Sequence, residues 1–396
     1  MLFQTTRNVL FELGASAKVG ELLAREGVGR RVLLVADEGI KSAGLLDKAI
    51  AGIEALGGSV SLFTGVSPDP SEQNVVDAAA QAVADGADSV VGLGGGSPMD
   101  VAKLASFLAT NQGASLSDIY GVGLCEVSEG FKRRLPLIQV PTTAGTGSEV
   151  TPISIVTTGA ASKMGVVSPQ LLPDWAVLDG NLTLTVPQMT TAHTGVDAMV
   201  HAIEAFTCKT RKNVLSDMFA KEALRNLSAN IHDAVFKGTE AAEARAGMLL
   251  GSMYAGMAFA NAPVAAVHAL AYPIGSNFKI PHGLSCSLML PPVLEYNAPE
   301  CAPLYAELAP IIFPDILADA SGQLTDEELT ALFIARIREL VVELGIPTQL
   351  SDPAIGISAS DVPLLASESM KQVRLLPNNP RAVLEEDAVR IYETIL

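Results

Sequence analysis

Asp88-Ser-Val-Val-Gly-Leu-Gly-Gly-Gly-Ser-Pro-Met-Asp100 is the stretch on which the fold turns. Its first half is a short apolar run of strand type. Its middle is a glycine cluster, and Ser97-Pro98 is a helix-opening pair, with serine as cap and proline suited to the first turn. Glycines let a backbone approach a diphosphate closely, and the unpaired N–H groups of a helix start present a positive dipole end to it. The same residues would also suit a tight strand-to-helix connection and nothing more. The loop is not G-x-G-x-x-G, and no such motif follows the first strand, so an ordinary Rossmann domain is not supported.

Outward from this loop, strand and helix signals alternate. Arg31-VLLVA-Asp37 reads as a buried strand, then a helix over 41–56. Ser59-VSLFTGV is a second strand, followed by a helix over 71–85. The β-α-β-α-β order implies a parallel sheet with helices on both faces, and the strands are apolar throughout, as doubly covered strands should be. Leu135-PLIQVPTT, Ile153-SIVTT, Lys163-MGVVS and Trp175-AVLD continue the strand signal. After Pro187 helical periodicity dominates, punctuated at Gly247, Pro263, Pro281, Pro291-Pro292, Gly345 and Pro377. The boundary falls near 180–190. We therefore expect an α/β dinucleotide-binding domain over 1–185 and an all-helical metal and substrate domain over 186–396.

Two more features of the first half bear on a nucleotide. Asp37 ends the first strand, where a carboxylate can accept hydrogen bonds from an adenosine ribose and repel a 2′-phosphate. A solvated strand-end acid would look the same. Pro141-Thr-Thr-Ala-Gly-Thr-Gly-Ser148-Glu149 is a second small-residue loop after a strand, with hydroxyls and amides able to hold pyrophosphate or the nicotinamide end. It reads equally as a solvent turn.

In the second half, Asp197-Ala-Met-Val-His201 sets a carboxylate and an imidazole one turn apart on one helix face, within a helix expected over 196–206. The chain has five histidines, and His201, His268 and His282 fall in this constellation. One carboxylate oxygen and three imidazole nitrogens make a borderline-soft divalent site suited to Fe(II) or Zn(II).

The composition bounds the rest. At 396 residues, two domains are the prior. An apolar content of 49% with 17% charged residues describes a well-buried globular protein. The formal charge of −17 argues against nucleic acid or an anionic membrane as partner. Cys125, Cys208, Cys286 and Cys301 lack any C-x-x-C pairing and read as reduced thiols of a cytoplasmic protein. The N-terminal MLFQTTRNVLFELG shows no signal-peptide pattern. The apolar stretch over 247–271 contains Asn261, Pro263 and His268, and reads as buried helix, not a membrane span.

Together these residues resemble the iron-containing (group III) alcohol dehydrogenase family, within the dehydroquinate-synthase-like fold. The resemblance rests on GGGSPMD at 94–100, PTTAGTGSEVT at 141–151, GVDAMVHAIEAF at 195–206, and His268 followed by PHG at 281–283. It covers essentially the whole chain. It implies a cleft between the two domains, with metal ligands at Asp197, His201, His268 and His282, which are also the catalytic centre. It implies NAD contacts at Asp37, Gly95, Gly96, Ser97, Asp100, Thr142, Thr143, Thr146, Val150 and Lys163. One departure matters. Many members carry a histidine four residues after the third ligand, and here that position is Tyr272. A tyrosine can donate a hydrogen bond but does not titrate near neutrality.

The expected activity is reversible hydride transfer between NAD(H) and a small alcohol, diol or hydroxy acid, with Fe(II) as the metal and Zn(II) as the alternative ion. A maleylacetate reductase or a hydroxyacid–oxoacid transhydrogenase is the family rival. A lyase of the dehydroquinate-synthase kind needs a basic pocket that the motifs do not supply, and a non-catalytic metal scaffold leaves the glycine loop unexplained. A small-molecule substrate and a homodimer or larger homo-oligomer are the expected partners. Outside the ligand set, His193 reads as a helix-start or cleft-lining residue and His232 as a surface one. Glu204 is either an acceptor for an imidazole N–H or a surface acid. The Met248, Met253 and Met257 series reads as a packing face.

Overall fold

The computed structural model describes residues 2–159, 162–317 and 324–396. It divides into two compact units, Gln4–Val186 and Pro187–Leu396, the second joined by the start of the chain up to Phe3.

The first unit is α/β. Its strands are β1 (Asn8–Phe11), β2 (Arg31–Val35), β3 (Ser59–Phe63), β4 (Ser89–Gly94), β5 (Gly121–Val122), β6 (Leu137–Pro141), β7 (Ile153–Thr158), β8 (Ser162–Val167) and β9 (Trp175–Leu178). Its helices are α1 (Val19–Arg25), α2 (Glu38–Ser42), α3 (Asp47–Glu54), α4 (Glu72–Ala84), α5 (Gly96–Leu108) and α6 (Leu116–Ile119). Six strands form a parallel sheet in the order β1-β9-β6-β4-β2-β3. Leu33, Val35 and Val90 face one apolar layer, while Val32, Leu34, Val91 and Leu93 face the other. Both faces are covered, which is why these strands read as unbroken apolar runs.

Two sequence expectations change here. The helix expected over 41–56 is two helices, α2 and α3, separated by a turn through Gly44-Leu45. The strand signals at 153 and 163 do not join the main sheet. They form an antiparallel pair, β7 with β8, flanked by β5. Periodicity marks a strand without saying which sheet takes it.

The second unit is helical, with α7 (Gln188–Thr207), α8 (Val214–Phe236), α9 (Ala242–Asn261), α10 (Ala266–Phe278), α11 (His282–Ile312), α12 (Asp326–Glu343), α13 (Val362–Met370) and α14 (Glu385–Glu393). Helix α7 packs against α8, α9 and α11, and almost every residue from Gly195 to Thr207 is buried. Gly247 lies inside α9, and the pair Pro291-Pro292 lies inside α11, so neither ends a helix as the sequence implied. An interior proline costs ~3 kcal/mol of helix stability. Here Pro291 and Pro292 are themselves buried, and packing of the apolar helix offsets that cost. Among the described residues no single helix is long and apolar enough to cross a bilayer. The bent pair α9 and α10 passes such a test only jointly, across a 107° break.

Candidate functional site

Strands β2, β4 and β6 are neighbours in the parallel sheet, so their C-terminal ends lie side by side. Gly94 pairs in register with Pro141, which places the glycine loop beside the Thr142–Thr151 segment, and Thr142 N–H donates to the Gly94 carbonyl at 2.9 Å. Asp37 follows the neighbouring strand β2. The chain passes from β2 to β3 on one side and returns to β4 on the other. In open α/β sheets this switch point is where ligands bind.

The helix after the loop starts earlier than Ser97 implied. Gly95 is the N-cap of α5, with no side-chain hydrogen bond, and Ser97 lies within the first turn. The cap position therefore uses none of the helix-start amides. A Cβ on Gly96 would come within 2.9 Å of Thr146 Cγ2, so glycine lets the two loops meet without moving that side chain. Thr142 Oγ1 is buried without a hydrogen-bond partner, and Thr143 and Thr146 are half-buried beside it. A tight, amide-rich cradle with an unsatisfied hydroxyl fits a diphosphate ligand.

The remaining nucleotide candidates are less uniform. Asp37 caps α2, its Oδ1 accepting from Ile40 N–H at 2.9 Å. Asp100 points into the protein: Ser148 Oγ donates to it at 2.7 Å and Ile155 N–H at 2.9 Å. Val150 is fully buried. Lys163 is paired with Asp69. Sequence reading missed Lys103, three residues after Asp100 and wholly buried. Its ammonium donates to Ser148 Oγ, Thr151 Oγ1 and the Ile153 carbonyl at 2.8, 3.1 and 2.7 Å. It ties α5 to the loop over 141–151. Burial pushes the Lys103 ammonium down to about 8 and the neighbouring Glu149 carboxyl up to about 7.

In the helical unit, Asp197 and His201 lie one turn apart on α7, His268 near the start of α10, and His282 at the start of α11. Helix α7 begins eight residues before the expected Val196 and carries His193 within it. A Cβ on Gly283 would meet the His193 carbonyl oxygen at 2.6 Å. Glycine there allows α11 to press on α7 and bring its first residue to Asp197. Asp197 Oδ1 is 3.8 Å from His268 Nε2 and 3.6 Å from His282 Nε2. The His201 ring stacks on His268, with centroids 4.7 Å apart, and on Phe259 at 4.4 Å.

Asp197 is 2% exposed and His268 1%, yet Asp197 Oδ1 and His268 Nε2 have no hydrogen-bond partner. Two such orphans facing one another are costly unless something binds them. An ion with bonds of ~2.0–2.2 Å in tetrahedral array keeps its ligand atoms about 3.4 Å apart, close to the spacings found. The donor set fits a divalent metal. Burial acts to raise the Asp197 carboxyl, but the surrounding His201, His282 and His268 outweigh it and hold it low. The His282 side chain is 41% exposed, so the cluster has one open side.

Glu204 is buried, not a surface acid. Its Oε2 lies 2.6 Å from His268 Nδ1, and its Oε1 accepts from Val267 N–H at 2.7 Å. With Nδ1 as donor, the His268 Nε2 lone pair is directed at Asp197 and the open position. Burial works to lower the His268 imidazole, and the charges of Glu204 and Asp197 outweigh it and raise it. Tyr272, one turn after His268, sets its ring 6.2 Å from His268 and 5.8 Å from His282. His232 is exposed, with its ring tilted against Phe236.

Cys286 was not singled out by sequence. Its signal was the four-residue step from His282, which puts both on one face of α11. The donor atoms of Asp197, His268, His282 and Cys286 all lie within 4.8 Å of one another. Burial and the Asp197 charge together push the Cys286 thiol well up.

Comparisons with known proteins give the chain's family and fold. Residues 6–180 match the iron-containing alcohol dehydrogenase family, and residues 191–396 match the C-terminal domain of the Fe-containing alcohol dehydrogenase family. The chain is 37% identical to long-chain-alcohol dehydrogenase 1 of Geobacillus thermodenitrificans over 364 residues, 92% of this chain and 89% of that protein. A crystal structure of 1,3-propanediol oxidoreductase superposes with a TM-score of 0.93 at 31% identity, covering 100% of this chain and 99% of that one. The sulfoacetaldehyde reductase of Bifidobacterium kashiwanohense, solved in complex with NAD+, superposes at 0.85 with 28% identity, covering 100% and 99%. With both halves matched and the fold shared end to end, the chain belongs to the iron-containing alcohol dehydrogenase family.

Proposed function

We propose that this protein is an NAD(H)-dependent, metal-dependent oxidoreductase acting on a small alcohol and its carbonyl partner. The observation that carries this reading is the buried pair of unsatisfied atoms, Asp197 Oδ1 and His268 Nε2, within reach of His282. Asp197, His201, His268 and His282 would hold Fe(II), or Zn(II) in its place. When bound, the metal supplies Lewis acidity to the substrate oxygen, and the nicotinamide accepts or returns a hydride.

The chain's own residues prepare the rest. Glu204 holds His268 in the tautomer that leaves Nε2 available. The exposed flank of His282 leaves an approach for substrate. Burial raises the Tyr272 hydroxyl, so it stays protonated at working pH and shapes the pocket without carrying charge. In the α/β unit, Gly95, Gly96, Ser97, Thr142, Thr143 and Thr146 would cradle the pyrophosphate. Asp37 would face the adenosine ribose, with Lys163 as a further ribose contact. Asp100 and Val150 would support the cofactor site from behind, since both are turned inward. The boundary between the nucleotide and metal domains is placed at 185/186. Four buried, unpaired cysteines support a reducing, cytoplasmic location.

The test is a panel of aldehydes, diols and hydroxy acids, run with NAD(H) on metal-stripped protein reloaded separately with Fe(II) and Zn(II). Turnover that needs both the ion and NAD(H) is expected, with the most efficient compound naming the substrate class. Maleylacetate and an oxo-acid acceptor belong in the panel, because preferred turnover of either would establish the rival activity. No turnover of any compound, with NADH and metal both bound, would overturn the reading.

A further inference from the structure

Cys286 sits among the donor atoms of the candidate metal centre. It is fully buried and unpaired, and its Sγ is 3.8 Å from His282 Nε2. Its α11 position, four residues past His282, keeps the two side chains on one helix face. The sulfur belongs to a cluster of four donor atoms in mutual reach. Two of the other members, Asp197 Oδ1 and His268 Nε2, are unpartnered and almost wholly buried. These orphaned atoms are independent evidence that the cluster is built to receive a ligand. Cysteine as simple core filler would explain the burial, but not its place among the donors.

We propose that Cys286 is a metal donor, which turns the centre into a mixed nitrogen, oxygen and sulfur site selective for thiophilic divalent ions. This rests on the metal-centre reading above and goes beyond its all-nitrogen-and-oxygen ligand set. On binding, the S–H bond breaks, a sulfur-to-metal bond forms, and the proton leaves to solvent with no change of oxidation state. Thiolate ligands select zinc-like ions over harder ones, so Zn(II) and Co(II) gain relative to Fe(II).

The test uses Co(II) as an optical probe on metal-stripped wild type, Cys286→Ser, Cys286→Ala and His268→Ala. Wild type is expected to show visible d–d bands together with a near-ultraviolet thiolate-to-cobalt charge-transfer band. Both Cys286 variants should keep the visible bands and lose the charge-transfer band, although Cys125, Cys208 and Cys301 remain. In competition between Zn(II) and Fe(II), read by elemental analysis, their preference for zinc should fall by about tenfold or more. Visible bands in wild type with no charge-transfer band, or an unchanged band in Cys286→Ser, would overturn the proposal and leave the metal centre standing. Absence of stoichiometric Co(II) binding to wild type, or binding equal in His268→Ala, would overturn the metal-centre reading itself and this proposal with it.

Discussion

Glu204 and His268 are joined at 2.6 Å, Oε2 to Nδ1, with both side chains buried in the helical unit. The same carboxylate takes the Val267 N–H at the start of α10. One acid therefore fixes both the position of the helix and the tautomer of its histidine. Changing Glu204 to Gln keeps the shape and removes the charge. Metal affinity should fall by about 10–100-fold, the usual loss when a ligand's outer partner is altered. A chelator competition measures it, and affinity equal to wild type would show that the pair is only structural.

Tyr272 stands one turn after His268, where the family resemblance leads us to expect histidine, and burial raises its hydroxyl further above neutrality. It is protonated throughout the working range and is a poor proton carrier. Tyr272→Phe should retain turnover within about tenfold, less than the ~10²–10⁴ loss on deleting a general acid or base. A loss of three orders of magnitude, with metal and NADH binding intact, would make the phenol the relay.

Asp37 has two duties that a single substitution can separate. Its carboxylate would repel a 2′-phosphate, and its Oδ1 caps α2. Asparagine is as good a cap as aspartate, whereas loss of the cap costs ~1 kcal/mol. Asp37→Asn should therefore relax the preference for NAD(H) over NADP(H) without lowering stability. Measured kcat/KM with each cofactor decides it. Equal efficiency with both in the wild type would remove Asp37 from this role.

The buried Lys103 and Glu149 make stability depend on pH in a defined way. Burial pushes Glu149 from its ordinary 4.5 up to about 7. Between those values the native state holds a proton that the unfolded chain has released, so stability falls as pH rises through that window. Burial holds Lys103 at about 8 against its ordinary 10.5, so stability recovers between about 8 and 10.5. The α/β unit should be least stable between pH 7 and 8. Trp175, the chain's single tryptophan, lies in that unit and reports its urea unfolding. Glu149→Gln should flatten the fall between pH 5 and 7, and an unchanged slope would assign it to other groups.

The sequence was informative wherever a signal is local. Apolar runs marked the strands, the glycine cluster marked the turn into α5, and the Asp197–His201 step placed two donors on one face of α7. The family motifs then carried His268 and His282 to the same centre. It was silent where the answer depends on which distant residues meet. Glu204 could be read as surface or buried until the start of α10 was seen to hydrogen-bond it, with Val267 N–H and His268 Nδ1 both facing its carboxylate. Pro291-Pro292 looked like a helix end because proline removes a hydrogen bond locally, yet burial of α11 outweighs that cost.

Sequence alone thus determined the α/β-then-helical order and the parallel strands of the main sheet, since each follows from periodicity within a few positions, while His268 and His282 entered as donors through the family resemblance. Tertiary structure alone decided the rest. It put Cys286 among the donors, turned Asp100 inward onto Ser148 and Ile155, drew Lys103 beneath the threonine loop, and left Asp197 Oδ1 and His268 Nε2 unsatisfied. Those facts depend on contacts between elements far apart in the chain, and no local pattern encodes which atoms such contacts leave without a partner.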